Sequence, residues 1–354
     1  MKKIYVLFVL ILSLGSFLFG CGANEESAKS NASAKLKIYT TIFPLEDFAK
    51  KIGGDHVEVV SVFPPGVDAH TFEPTAKTMV DIAKADGFIY SGAGIEGFVE
   101  AAIDALKNEN VKMVKAAEGI ELVSLGDHAH DDNDSESESG HDDHAHDDNG
   151  SESESGHDDH AHDEHDSTGQ EEGHDSHNHG DLDPHVWLDP TLALQLADTI
   201  LHALEELKPE AKEEFEENFD TLKQQLEELD QKFKEAVEHA PKKEILVAHA
   251  AYGYWETRYG IEQISVTGLS PTNEPSQKDL RTIIETAKNH NIKYVIFEQN
   301  VSTKVAEIVR NEINAEALTL HNLEALSDEN VKNSEDYFSL MERNIETLKI
   351  ALSQ

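Results

Sequence analysis

Apolar residues along this chain recur with two periods. Runs rich in β-branched residues at 36–40, 57–62, 87–90 and 111–114 predict strands, and the spacing between them, at 45–52, 75–85 and 95–106, is helical. The alternation returns with strands at 244–247, 261–266, 292–297 and 317–320 and helical spacing at 276–289, 303–313 and 334–352. Strands separated by helices require crossover connections and a parallel sheet. The expected fold class is therefore α/β, with two (β/α) lobes of similar design. Between them Phe215, Phe219, Leu222, Leu226, Leu229, Phe233 and Val237 step by three or four residues, one apolar stripe on a long helix. Pro209 and Pro241 mark its ends. Near 28 residues would span roughly 42 Å, the height of both lobes. A coiled-coil dimer is the rival reading of that stripe. A helix wedged between two α/β lobes packs against them instead, and a monomer is expected.

The start of the chain follows another pattern. Lys2 and Lys3 precede an apolar stretch at 4–19, and Asn24, Glu25 and Glu26 follow at once. That is a secretory signal rather than a spanning helix. It ends in Leu18-Phe19-Gly20-Cys21, which resembles the bacterial lipobox, whose Cys is acylated and becomes the mature N-terminus. Cys21 is the only cysteine, so no disulfide can form within the chain. Residues 22–34, small and polar, read as a flexible tether.

Charge adds a fourth kind of segment. The formal net charge is −41, and residues 127–183 hold 22 Asp and Glu without one Lys or Arg. An acidic surface repels nucleic acid and anionic membrane, which leaves cations as natural partners. Within this segment HAHDDNDSESESGHDD at 128–143 is repeated at 144–159 with one change, Asp134 to Gly150. Almost nothing in it is apolar, so it cannot bury a core and disorder is expected. Twelve of the twenty histidines fall here, a metal trap of low specificity. The organisation read from the chain is a signal at 1–20, a lipidated tether at 21–35 and a first lobe at 36–126 plus 181–207. The His/Asp/Glu-rich loop takes 127–180, the linking helix 208–240, and the second lobe 241–354.

Eight histidines lie outside the repeat, and three have unusual settings. His70 sits in the turn-rich PPGVDAHTFEP after the second strand, His185 in DPHVWLDP just before a helix, and His249 at the end of the strand ILVAH. Ligands of open α/β sheets bind outside the carboxyl ends of strands, where His70, His249 and also Glu324, in LTLHNLE, are placed. Each histidine alone reads as a surface or capping residue. Together, three imidazoles and one carboxylate in a cleft between lobes make a closed tetrahedral Zn2+ site. Trp187 and Trp255 read as packing beside it. Asp68, Glu73 and Asp189 either accept the second ring N–H of a ligating histidine or serve as helix caps or turn residues. Glu298, at a strand end, either faces the cleft or begins a helix. His321 is a rival ligand, disfavoured against Glu324.

PPGVDAHTFEP, DPHVWLDP and VAHAAYGYW resemble the zinc/manganese-specific substrate-binding lipoproteins of bacterial ABC importers, over about residues 36–125 and 181–353. The resemblance implies two (β/α) lobes joined by one long rigid helix, with the metal between them. Its ligands carry over to His70, His185, His249 and Glu324, although one zinc-binding branch keeps water where Glu324 stands. An acidic His-rich insertion marks the zinc branch, and the manganese branch has a carboxylate at the place of His249. A third nitrogen favours Zn2+ over a hard, oxygen-preferring ion. The implied function is a high-affinity zinc receptor held outside the cytoplasm by its lipid anchor, which hands Zn2+ to an ABC permease and its ATPase. Alternatives are a manganese receptor of the same family, a zinc-dependent adhesin and a zinc buffer. An enzyme is not expected: a zinc hydrolase needs an open coordination position and a general base, and no HExxH is present. Because Cys21 closes the lipobox, Cys21→Ala should appear in the medium or retain its signal in cell fractionation. A mutant still acylated and membrane-bound would defeat the lipoprotein reading.

Overall fold

The computed structural model describes residues 34–124, 182–300 and 304–354. The signal stretch, Cys21 with most of its tether, and the His/Asp/Glu-rich loop lie outside the described residues.

Two four-stranded parallel sheets repeat one topology. In the first lobe β1 (Leu36–Thr40), β2 (Val57–Ser61), β3 (Gly87–Tyr90) and β4 (Lys112–Lys115) lie in the order β2-β1-β3-β4. Their connections carry α1 (Phe43–Gly53), α2 (Ala76–Ile82) and α3 (Val99–Leu106). In the second lobe β5 (Glu244–His249), β6 (Glu262–Thr267), β7 (Tyr294–Glu298) and β8 (Glu316–Leu320) lie in the order β6-β5-β7-β8. There α6 (Gly253–Tyr259), α7 (Gln277–Asn289) and α8 (Lys304–Ile313) connect the strands, and α9 (Asp328–Lys332) and α10 (Tyr337–Ala351) follow.

Both sheets reverse direction beside their first strand, and the crevice at the carboxyl ends there is where such folds take ligands. The second lobe places His249 and Glu298 at that crevice, on the ends of β5 and β7. The first lobe closes its own. Glu96, buried, accepts from Thr41 Oγ1 at 2.6 Å and from the Ser91 N–H at 2.7 Å, and burial pushes its carboxyl up. This inward turn, with Gly92 and Gly94 at φ 73° and 96°, is why the helix read from 95 begins only at Val99.

The linking segment is the long helix α5 (Lys212–Glu238), preceded by α4 (Pro190–Leu207) of the first lobe. Asp189 caps α4 by accepting the Thr191 N–H at 2.7 Å, with Pro190 at the first helical position. At 27 residues α5 is roughly 40 Å long. Its stripe is buried at Phe215, Leu222, Leu226, Leu229, Phe233 and Val237. It packs on α1 and α4 of the first lobe and on α6 and α10 at the second. Asp230, on the same helix, accepts from Arg258 Nε and Nη2, each at 2.9 Å, tying α5 to α6.

One apolar core runs through both lobes, from Ile38 to Leu352, and a smaller cluster including Leu246, Val266, Val295 and Val309 fills the far side of the second sheet. The α10 helix returns to the first lobe, where the rings of Phe48 and Tyr337 meet at 4.9 Å. Lobes that share a core should unfold together. Phe233, packed at 5.2 Å against both Trp255 and Tyr259, sits at this junction. Phe233→Ala should cost about 3–5 kcal/mol and lower one cooperative calorimetric transition. Two separated transitions would show that the lobes unfold independently.

Candidate metal centre

Three loops and one strand end deliver four side chains to one point. His70 follows β2, where the Asp68 carboxylate accepts the His70 backbone N–H at 2.9 Å and closes a turn. The ring of Phe63 against Phe72, at 5.1 Å, packs the same loop. His185 stands between the Ser124–Leu182 bridge and a tight turn at Val186–Leu188. His249 is the last residue of β5. Glu324 follows β8, next to Leu323 in the left-handed region at φ 60°, and its carbonyl accepts the Phe43 N–H at 3.0 Å from the first lobe.

One ligand atom from each of His70, His185, His249 and Glu324 lies within 4.8 Å of every other. Glu324 Oε1 is 3.5 Å from His70 Nε2 and 3.5 Å from His185 Nε2, and His185 Nε2 is 3.5 Å from His249 Nε2. A tetrahedron with arms of about 2.0–2.1 Å, the length of a Zn–N bond, has edges of about 3.4 Å. His70 Nε2 and Glu324 Oε1 are buried with no hydrogen-bond partner. Atoms so arranged are costly to bury unless a cation completes them. The side chains of His185, His249 and Glu324 are 0–2% exposed and that of His70 is 10%, so solvent approaches the cluster at His70.

The far nitrogens of two rings are held by carboxylates. Asp183 Oδ1 lies 2.8 Å from His185 Nδ1 and also accepts the His185 backbone N–H at 2.9 Å. Glu298 Oε2 lies 2.7 Å from His249 Nδ1, and Tyr252 donates its hydroxyl to Glu298 Oε1 at 3.3 Å. Each bond turns Nε2 toward the cluster. Burial would drive the proton from His185, but Asp183 and Glu324 outweigh it and push the imidazole up to about 9. Burial also favours a protonated Glu324, and the adjacent His185 and His70 override it, holding the carboxyl well below the usual range. Without a metal, His185 therefore favours its protonated form.

These partners decide between readings the sequence leaves open. Asp68 serves the His70 turn and Asp189 caps α4, the turn and cap roles of their two readings, and Glu298 faces the cleft. Asp183 was missed, although Asp-x-His occurs at both Asp68–His70 and Asp183–His185. Only the second carboxylate also reaches its ring. His321 is engaged elsewhere, its Nδ1 accepting the Leu323 N–H at 2.9 Å and its Nε2 3.1 Å from Asn330 Oδ1. Burial lowers it to about 4, so it stays neutral and braces the Glu324 loop. Trp187 and Trp255 pack as expected, their indoles donating to Asn322 O at 2.7 Å and Leu188 O at 2.8 Å.

Comparison with known proteins points the same way. Residues 38–351 match the family described as zinc-uptake complex component A, periplasmic. The chain is 33% identical to the zinc-binding lipoprotein AdcA of Streptococcus pneumoniae over its full length, but spans only 62% of that protein. It is 32% identical to the high-affinity zinc uptake system protein ZnuA of Bacillus subtilis, covering 99% of this chain and 98% of the relative. Among solved structures, the Zn(II)-bound ZnuA-like domain of S. pneumoniae AdcA superposes with a TM-score of 0.67 at 30% identity, over 91% of this chain and all of that domain. The matched span takes in both lobes and all four clustered side chains, and the chain belongs to the ZnuA family of zinc-uptake components.

Proposed function

We propose that this chain is an extracytoplasmic receptor that captures Zn2+ through His70, His185, His249 and Glu324 and passes it to an ABC permease. The observation that carries this reading is the convergence of three imidazole nitrogens and one carboxylate oxygen within 4.8 Å of one another in a buried cluster, three of the separations being 3.5 Å. Neutral nitrogen donors suit zinc, and the carboxylate offsets part of its charge. Four protein donors leave no open position for an activated water, so binding rather than hydrolysis is the activity. The zinc-binding and zinc-uptake relatives support the same cargo. A lipid on Cys21 would hold the receptor at the membrane face where its permease and ATPase sit. Removing that permease should abolish zinc uptake through this protein, which a mere zinc buffer or adhesin would not require.

Competitive titration against a chelator of known affinity tests the ligand set. His249→Ala should weaken zinc binding about 100-fold or more, and Glu324→Gln, which keeps shape while removing the charge, about tenfold or more. Wild-type affinity in Glu324→Gln would place this side chain outside the coordination shell.

Affinity should also depend on pH. The imidazoles bind only when neutral, and metal-free His185 is pushed up to about 9. Its proton must leave as zinc enters, so affinity should rise by about tenfold per pH unit from neutral pH and level off near that value. Calorimetry in buffers of differing ionisation enthalpy should show about one proton released per zinc near neutral pH. No proton release, with a flat affinity, would argue against His185 as a ligand.

A further inference from the structure

The two carboxylates behind the histidine rings are anchored differently. Glu298 and His249 stand at neighbouring strand ends of the second lobe, so their bond lies within one sheet. Asp183 is attached to the first lobe, through the Ser124–Leu182 bridge and its own N–H donating to Val123 O at 2.7 Å. Its side chain, however, lies against the second lobe at the start of α6. There a Cβ placed on Gly253 would fall 2.6 Å from Asp183 Oδ2, closer than real contacts come. The next residue, Tyr254, donates its hydroxyl to the Asp183 carbonyl at 2.7 Å. Gly253 is not in the left-handed region, so the backbone itself does not call for glycine there.

We infer that Gly253 is a positioning residue for zinc: its missing side chain leaves the space from which Asp183 orients the His185 ring across the lobe boundary. Apposition of the lobes and orientation of His185 are then one event. Parting the lobes takes the Gly253 backbone and the Tyr254 hydroxyl away from Asp183, whose carboxylate is then free to turn. His249 keeps its partner throughout. The inference rests on reading His185 as a zinc ligand. A Cβ at 253 meets the Asp183 carboxylate at 2.6 Å and Gln263 Nε2 at 3.3 Å, both far ends of side chains rather than backbone, and the closer contact is relieved by rotation of the Asp183 carboxylate. That rotation withdraws Oδ1 from His185 Nδ1, 2.8 Å away, and leaves the fold standing.

The experiment is a double-mutant cycle read by zinc competition against a chelator, using Gly253→Ala, Asp183→Ala, both together, and His185→Ala. Each of the first two should weaken binding about 10–100-fold. Combined, they should bind within about threefold of Asp183→Ala alone, because the glycine acts only through the carboxylate. A general structural defect would instead multiply the two effects and lower the melting temperature of metal-free Gly253→Ala. Wild-type affinity in Gly253→Ala, or multiplicative losses, overturns the inference. If Gly253→Ala alone does not fold, the double variant, which lacks the crowded carboxylate, should fold and bind within about threefold of Asp183→Ala, and a double variant that still fails to fold overturns the inference. Unchanged affinity in His185→Ala sinks the ligand reading itself. Loss in His185→Ala beside wild-type affinity in Gly253→Ala sinks only the role of the glycine.

Discussion

A tetrahedral zinc site needs donor atoms about 3.4 Å apart, and the four clustered side chains come from three loops and one strand end in two lobes. Nothing local holds them together. Without the ion, Nε2 of His70 and Oε1 of Glu324 are buried and unpartnered, which opposes the arrangement. The opposing force is the apolar core common to both lobes, with α5 along its length and α10 folded back over it. Hydrogen bonds then set the loops on that frame. The Trp187 indole reaches from the His185 segment to Asn322, and the Tyr337 hydroxyl returns to the Trp187 carbonyl at 2.7 Å. His185 and Glu324 are thus held by one buried network.

Charge follows from that burial. Asp183, Glu298 and Glu324 place three carboxylates in or directly behind the cluster, all almost fully buried. In a region of low polarity such groups need compensation, which the neighbouring histidine rings and a bound divalent cation can supply. Two of the carboxylates act through the far side of an imidazole, which makes the nitrogen facing the metal a better donor. The balance favours an ion that accepts nitrogen readily over one that prefers oxygen alone.

The same frame limits motion. A core continuous between lobes and the Asp230–Arg258 pair on α5 oppose wide opening. Leu323 holds the turn before Glu324 in a strained conformation, and the neutral His321 and Asn344 hold the neighbouring backbone. Glu324 is therefore a braced corner of the cluster. His70 is the corner nearest solvent.

Much of this was legible in one dimension, because a β-strand and a helix write their periods directly into the chain. The two sets of alternating runs, the stripe from Phe215 to Val237 and the placing of His70, His249 and Glu324 after strands all come from local spacing. Boundaries drifted where tertiary contacts intervened, as at Glu96, which left its helix to fill the crevice of the first lobe. The carboxylates behind the rings were harder to read. Asp68, Asp183 and Asp189 all look alike beside proline, histidine or tryptophan, and only packing decides which oxygen meets an imidazole. His321 and Glu324, three residues apart on one loop, were separated by direction alone, one ring turned toward Asn330 and one carboxylate toward the cluster. The chain by itself determined which donors exist and which elements carry them. Their distances, burial and proton affinities belong to the tertiary structure, since those depend on neighbours brought in from the other lobe.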